Sequence, residues 1–129
     1  MKLILEEDDN FDHIYHEILD VIDNENFNPR GCKYSAFQTN SEGKYINNLN
    51  EIAVYGSCSF YINDWEKPWK SDIVLHYPTW LDLFILFCRA YQESNEGQYH
   101  RYCYFDGISD PKPHSRFKNI MEYRFDAGS

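Results

Sequence analysis

Thr79-Trp80-Leu81-Asp82-Leu83-Phe84-Ile85-Leu86-Phe87-Cys88-Arg89-Ala90-Tyr91-Gln92-Glu93 carries apolar side chains on nearly every side of a helix. Thr79 is a helix-capping residue, and Asp82 stands three positions on, the spacing of a capping box. Wound at 3.6 residues per turn, Trp80, Leu81, Leu83, Phe84, Phe87, Cys88 and Tyr91 cover most of the circumference. Asp82, Arg89 and Glu93 are left as a narrow polar stripe. A helix this apolar cannot lie on a surface, so it predicts a buried helix over 79–93, packed against a sheet. Arg89 and Glu93 have the spacing of a surface ion pair.

A second helix is expected over 11–23, capped by Asp9 or Asn10. Phe11, Ile14, Tyr15, Ile18, Leu19 and Ile22 recur at the three-and-four spacing of one face, while Asp9, Asp12, His13, His16, Glu17, Asp20 and Asp23 take the other. Around these two helices the remaining chain reads as short strands: 2–6, 33–38, 51–62 with Gly56 as a bulge or turn, 71–77, 99–105 and 119–125. Turn and loop chemistry separates them at 28–31, 41–43, 64–70 around Pro68, 95–97, 106–107 and 110–113. Residues 127–129 read as a tail. Many short strands with two helices do not alternate in the βαβ manner. The expected fold is one α+β domain over 1–129, with a mostly antiparallel sheet of five or six strands, a buried apolar helix (79–93) and an amphipathic acidic helix (11–23).

Charge is distributed unevenly. Nine acidic residues against Lys2 alone give residues 1–25 a net charge of −8, whereas the other 104 residues, with 12 acids and 11 bases, carry −1. A local negative face repels phosphate and anionic lipid and attracts basic partners. Basic residues are scattered, so direct nucleic-acid binding is not expected, although mimicry of nucleic acid is compatible with the charge. No apolar run reaches the ~18–20 residues of a membrane span, and the N-terminal sequence lacks a signal peptide's apolar region. The expected location is cytoplasmic, which favours free thiols at Cys32, Cys58, Cys88 and Cys103.

Several residues are candidates for chemistry or recognition. His13 and His16 lie three apart among carboxylates, but not at the i, i+4 spacing of zinc-binding helices, so no metal is expected there. His100, Tyr102, Tyr104 and Asp106 share one face of a strand, with Cys103 on the other; His100 and Asp106 are an acid–base pair only if that face is open. Trp65 and Trp69 sit in a proline-stiffened loop, either as exposed interface anchors or folded back over the end of the core. No glycine-rich phosphate loop, nucleophile elbow or dinucleotide fingerprint is present, so neither a cofactor nor a catalytic set is expected. The leading functional expectation is an acidic protein-binding module that neutralises or inhibits a basic protein. An inhibitor or immunity protein for a nuclease-like toxin, or for a nucleic-acid-processing machine, has this size and charge. Asp9, Asp12, Glu17, Asp20, Trp65, Trp69, His100 and Tyr102 are its candidate contact residues. The alternatives are a small enzyme using His100 and Asp106 or a metal at His13 and His16, and an assembly subunit with an aromatic interface.

Overall fold

The computed structural model describes residues 32–34, 49–63, 65, 68–94 and 104–128. They form a six-stranded sheet and one helix: β1 (Lys33–Tyr34), β2 (Ser57–Ile62), β3 (Trp69–Lys70), β4 (Leu75–His76), α1 (Trp80–Glu93), β5 (Tyr104–Pro113) and β6 (Ile120–Gly128). The strand order is β1-β5-β6-β2-β3, with β4 also paired to β2. This is an α+β arrangement, as expected, and the sheet is mixed: three of its five strand pairings are antiparallel and two are parallel. β5 and β6 form an antiparallel hairpin, β3 and β4 run antiparallel to β2, and β2 lies parallel to β6 as β1 does to β5. A parallel neighbour needs a long crossover, and the chain between β2 and β6, which includes α1, supplies one.

α1 begins and ends where the sequence places it. The Thr79 hydroxyl accepts from the Asp82 amide at 3.2 Å and the Asp82 carboxylate accepts from the Thr79 amide at 2.9 Å, completing the capping box. Trp80, Leu81, Leu83, Phe84, Leu86, Phe87, Cys88, Ala90 and Tyr91 are buried; Asp82, Arg89 and Glu93 are exposed. Fully burying a large apolar side chain is worth about 1.5–3 kcal/mol, so this one helix supplies a large part of the driving force for folding. Strand alternation delivers the opposing surface. Cys58, Phe60 and Ile62 of β2 and Phe125 of β6 point into the core, and Phe105 of β5 joins them. The rings stack on one another, with Phe60 and Phe125 nearly parallel at a centroid distance of 4.5 Å and Phe105 edge-on to Phe125 at 5.6 Å.

The other differences from expectation have local causes. Strand 51–62 shortens to Ser57–Ile62, because Gly56 at φ 152° breaks the extended run and leaves only an isolated bridge between Ile52 and Thr79. The expected strand 71–77 is only Leu75–His76, ended by Tyr77 in a left-handed conformation at φ 49°. Part of the 64–70 loop, Trp69–Lys70, is recruited as strand β3.

Asp106-Gly107 is no turn and Asp110–Pro113 no loop. Both belong to β5, which accommodates them by register shifts against β6, with Gly107 at φ 114° and Asp110 at φ 51°. Such bulges let a strand continue while re-aiming its side chains. Pro113 is tolerated because the His114 amide points to β6, bonding Ile120 O at 2.8 Å; by alternation the Pro113 nitrogen faces the outer edge, where no donor is missed, while Pro111 lies within the register shift between Ser109 and Lys112. β6 runs through Ala127 and Gly128, which are therefore not a tail. Of the expected strands at 33–38 and 99–105, the described parts are Lys33–Tyr34 and the start of β5. Strand 2–6, helix 11–23 and the turns at 28–31, 41–43 and 95–97 lie outside the described residues.

Candidate functional site

The sheet face turned away from α1 carries the polar groups. Register assembles them: Glu122 of β6 lies beside Ser59 of β2 and opposite Lys112 of β5, while Lys70 of β3 lies beside Tyr61 of β2. Glu122 is the centre. Its side chain is 7% exposed, yet Lys70 Nζ approaches Oε2 at 3.2 Å and Lys112 Nζ approaches Oε1 at 3.4 Å. Both lysines keep more than half of their side-chain surface in water, with the Lys112 ammonium 4.5 Å above the Tyr61 ring. Burial pushes the Glu122 carboxyl up, but the two ammonium groups outweigh it and hold it below the ordinary glutamate value.

His114 closes this cluster from the hairpin turn. Its Nδ1 accepts from the Arg116 amide at 3.0 Å and the Phe117 amide at 3.3 Å, which leaves Nε2 to carry the proton in the neutral ring; Nε2 lies 3.9 Å from Glu122 Oε2. Ser59 is 2% exposed and its hydroxyl has no hydrogen-bond partner among the described residues. Further along the face, Arg124 bridges Asp110 at 3.1 Å and Asp126 at 3.2 Å, and Ser109 donates to Asp126 at 2.8 Å. The arrangement is a polar clamp joining β3, β5, β6 and the β5–β6 turn. A carboxylate held ionised by two cations is a poor proton donor, and its neighbours are engaged in holding it.

Nucleophilic chemistry finds no better support. Cys32, Cys58 and Cys88 are buried free thiols. Burial pushes the Cys58 thiol up to about 12, and it pushes the Cys88 thiol up as well, so burial favours the protonated, unreactive thiol at both. Among the described residues no group of three or more His, Cys, Asp or Glu side chains is arranged to hold a metal ion. No described helix is long and apolar enough to cross a membrane.

A different region exposes large apolar and aromatic side chains. Around the start of α1, Tyr55 is 80% exposed and Tyr77 is 57% exposed, with Ile52 and Ile73 also open to solvent. The Tyr77 amide donates to Gly56 O at 2.8 Å and the Ala53 amide to Pro78 O at 2.7 Å, so the two tyrosine-bearing segments run side by side. Tyr77 holds its left-handed backbone without being glycine, a strain of the kind concentrated at functional surfaces.

The residues singled out in the sequence fare unequally. Trp65 is no exposed anchor: it is 5% exposed and packs on Phe87 and Tyr91 at centroid distances of 5.7 and 5.8 Å. Trp69 is half-buried against Phe125 and donates its Nε1 proton to Glu93 at 3.2 Å, giving Glu93 a partner from β3. Asp106 is exposed on a bulge, with its carboxylate over Gly128. Asp9, Asp12, Glu17, Asp20, His13, His16, His100 and Tyr102 lie outside the described residues. The Glu122 clamp was missed because 110–113 reads as a loop. The alternation of Glu122, Arg124 and Asp126 with Tyr123, Phe125 and Ala127 was the available signal.

No protein-family model, no curated protein and no solved structure matches the chain.

Proposed function

We propose that this chain is a protein-binding module of the cytoplasm that neutralises a basic protein partner, in the manner of an inhibitor or immunity protein. Charge partition is the observation that carries the reading. The described residues hold eight acids and seven bases, a net of −1, while residues 1–25 alone carry −8. The sheet and helix thus form a nearly neutral scaffold attached to a strongly negative segment, which is how charge is placed when it serves encounter with one partner. Asp9, Asp12, Glu17 and Asp20 are the steering residues in this reading. In this reading Glu122, Lys70 and Lys112, which engage one another, and the buried thiols of Cys58 and Cys88 are structural.

The test is capture of partners from the native host by the tagged chain and by a variant with Asp9, Asp12 and Asp20 changed to Asn and Glu17→Gln. A basic protein captured by the wild type, binding more slowly to the variant at low salt and equally at high salt, supports the proposal. Equal association rates at low salt would remove it. A second reading, assembly through an aromatic surface, is favoured by the exposed Tyr55 and Tyr77. It requires binding that is insensitive to salt and lost on Tyr55→Ala.

A further inference from the structure

Topology gathers separate parts of the chain at one end of the sheet. β2 begins there at Ser57, beside Ile120 at the start of β6 and opposite His76 at the end of β4. α1 follows β4 from the same end, and the β5–β6 turn, 114–119, leads into Ile120 there. Backbone bonds fix the surface: beside the Tyr77–Gly56 and Ala53–Pro78 bonds, the Trp80 amide donates to Glu51 O at 3.2 Å. Of the five large apolar side chains exposed among the described residues, Ile52, Tyr55, Tyr77 and Phe117 stand at this end. Exposed aromatic clusters of this kind mark protein–protein contacts.

Charge of both signs borders the rings, on opposite sides. β6 lies on one side of β2, and β4 on the other. On the β4 side are Glu51, next to Trp80, and Asp82 in the first turn of α1, both exposed. Residues 49–57 and 71–88 contain no lysine or arginine. On the β6 side the turn presents Arg116 and Lys118, exposed and without an ion-pair partner. A wholly basic partner would be opposed by Arg116 and Lys118, and a wholly acidic one by Glu51 and Asp82. A second copy, turned about a two-fold axis through the rings, meets each sign with its opposite. We propose that this end of the sheet is an isologous dimer interface, with Tyr55, Tyr77 and Phe117 at its centre and Glu51 and Asp82 of each copy facing Arg116 and Lys118 of the other. The proposal rests on the reading of assembly through an aromatic surface and names the partner as a second copy of this chain. The central aromatics supply the affinity, while the rim charges fix the orientation. The −8 carried by residues 1–25 of each copy opposes approach, so the dimer is reversible and dissolves on dilution.

Sedimentation velocity of the full chain over a dilution series, at physiological salt, tests this. The expected result is a single chain at low concentration and a species of two chains at high concentration. Tyr55→Ala should weaken the dimer at least about tenfold. Tyr55 is 80% exposed, so that variant keeps its fold, which a thermal melt checks. Glu51→Lys and Arg116→Glu each set like charges against one another across both rims, and each should reduce dimerisation. An equal mixture of these two variants should dimerise again, because every introduced charge then meets its opposite. The mixed pair also carries the same total charge as two wild-type chains, so bulk repulsion does not account for the recovery. A single chain at every concentration, a dimer unchanged by Tyr55→Ala, or a mixture no more associated than its separate components would each overturn the proposal. The broader reading, assembly with some other chain, is decided separately by capture from the native host with wild type and Tyr55→Ala.

Discussion

Phe125→Ala should be among the most damaging single changes in the protein. The ring is wholly buried and stacks on Phe60 at 4.5 Å with only 7° between the planes. Phe105 at 5.6 Å and Phe87 at 6.0 Å meet it edge-on, and Trp69 lies beyond at 6.3 Å. Truncating a buried phenylalanine costs about 3–5 kcal/mol through lost transfer energy and the cavity left behind. Phe125 should fall at the top of that range, because the surrounding rings are held by separate elements, β2, β3, β5 and α1, and cannot collapse together. Aromatic pairing adds about 0.5–1.5 kcal/mol per favourable pair beyond area burial. A double-mutant cycle between Phe60→Leu and Phe125→Leu should therefore return a coupling of that size. The leucine variants retain most of the volume and should lose about 1–2 kcal/mol each, which keeps the cycle measurable if the alanine variant unfolds. The assay is urea denaturation followed by tryptophan fluorescence, with the slope compared between variants. A loss below about 1 kcal/mol for Phe125→Ala, or a coupling indistinguishable from zero, would refute the description of this ring as the hub between sheet and helix.

Glu122 links stability to pH. Its folded-state value lies below the unfolded one, so its contribution is complete above the unfolded carboxylate range near about 4.3 and is lost as pH falls through the folded value; thermal melts of Glu122→Gln between neutral and acid pH should show a flatter acid limb than wild type. Thr79→Ala removes the hydroxyl of the capping box and should cost about 1 kcal/mol in denaturant titration. Tyr77→Gly relieves a left-handed backbone at φ 49° and should stabilise the fold by about 1 kcal/mol; if the exposed tyrosines recognise a partner, the same change weakens binding while the melting point rises. Melts with and without a strong chelator should coincide, and a drop with chelator would direct attention to His13, His16 and Asp20.

Local signals read well where one periodicity dominates. α1 was legible from cap to last turn, because its capping box and its nearly unbroken apolar surface leave no competing interpretation. Its exposed stripe of Asp82, Arg89 and Glu93 is the one the spacing implies. Strand pairing was not legible. Whether β6 pairs with β2 in parallel or antiparallel sense depends on the path between them, and nothing in Ile120–Gly128 encodes it. Asp106-Gly107 and Asp110-Pro111 carry turn composition, yet a bulge uses the same residues for the same reason, a positive φ, and only the partner strand distinguishes the two. Misreading them hid the site, since Lys112 meets Glu122 only if β5 continues past Asp110. The choice between an exposed and a folded-back Trp65 lay in tertiary packing, and the rings of Phe87 and Tyr91 resolve it.

The two prolines near the end of β5 have a consequence for how this protein meets other chains. Beyond Phe105 no strand covers the outer side of β5 among the described residues, which would ordinarily leave a template for further pairing. Pro113 offers no donor on that side, Pro111 none at all, and the left-handed Asp110 bends the run away from a flat ribbon. A visiting strand would find its carbonyls unanswered there. At Asp110–Pro113 the hairpin is thus a poor template for edge-to-edge pairing with its own copies.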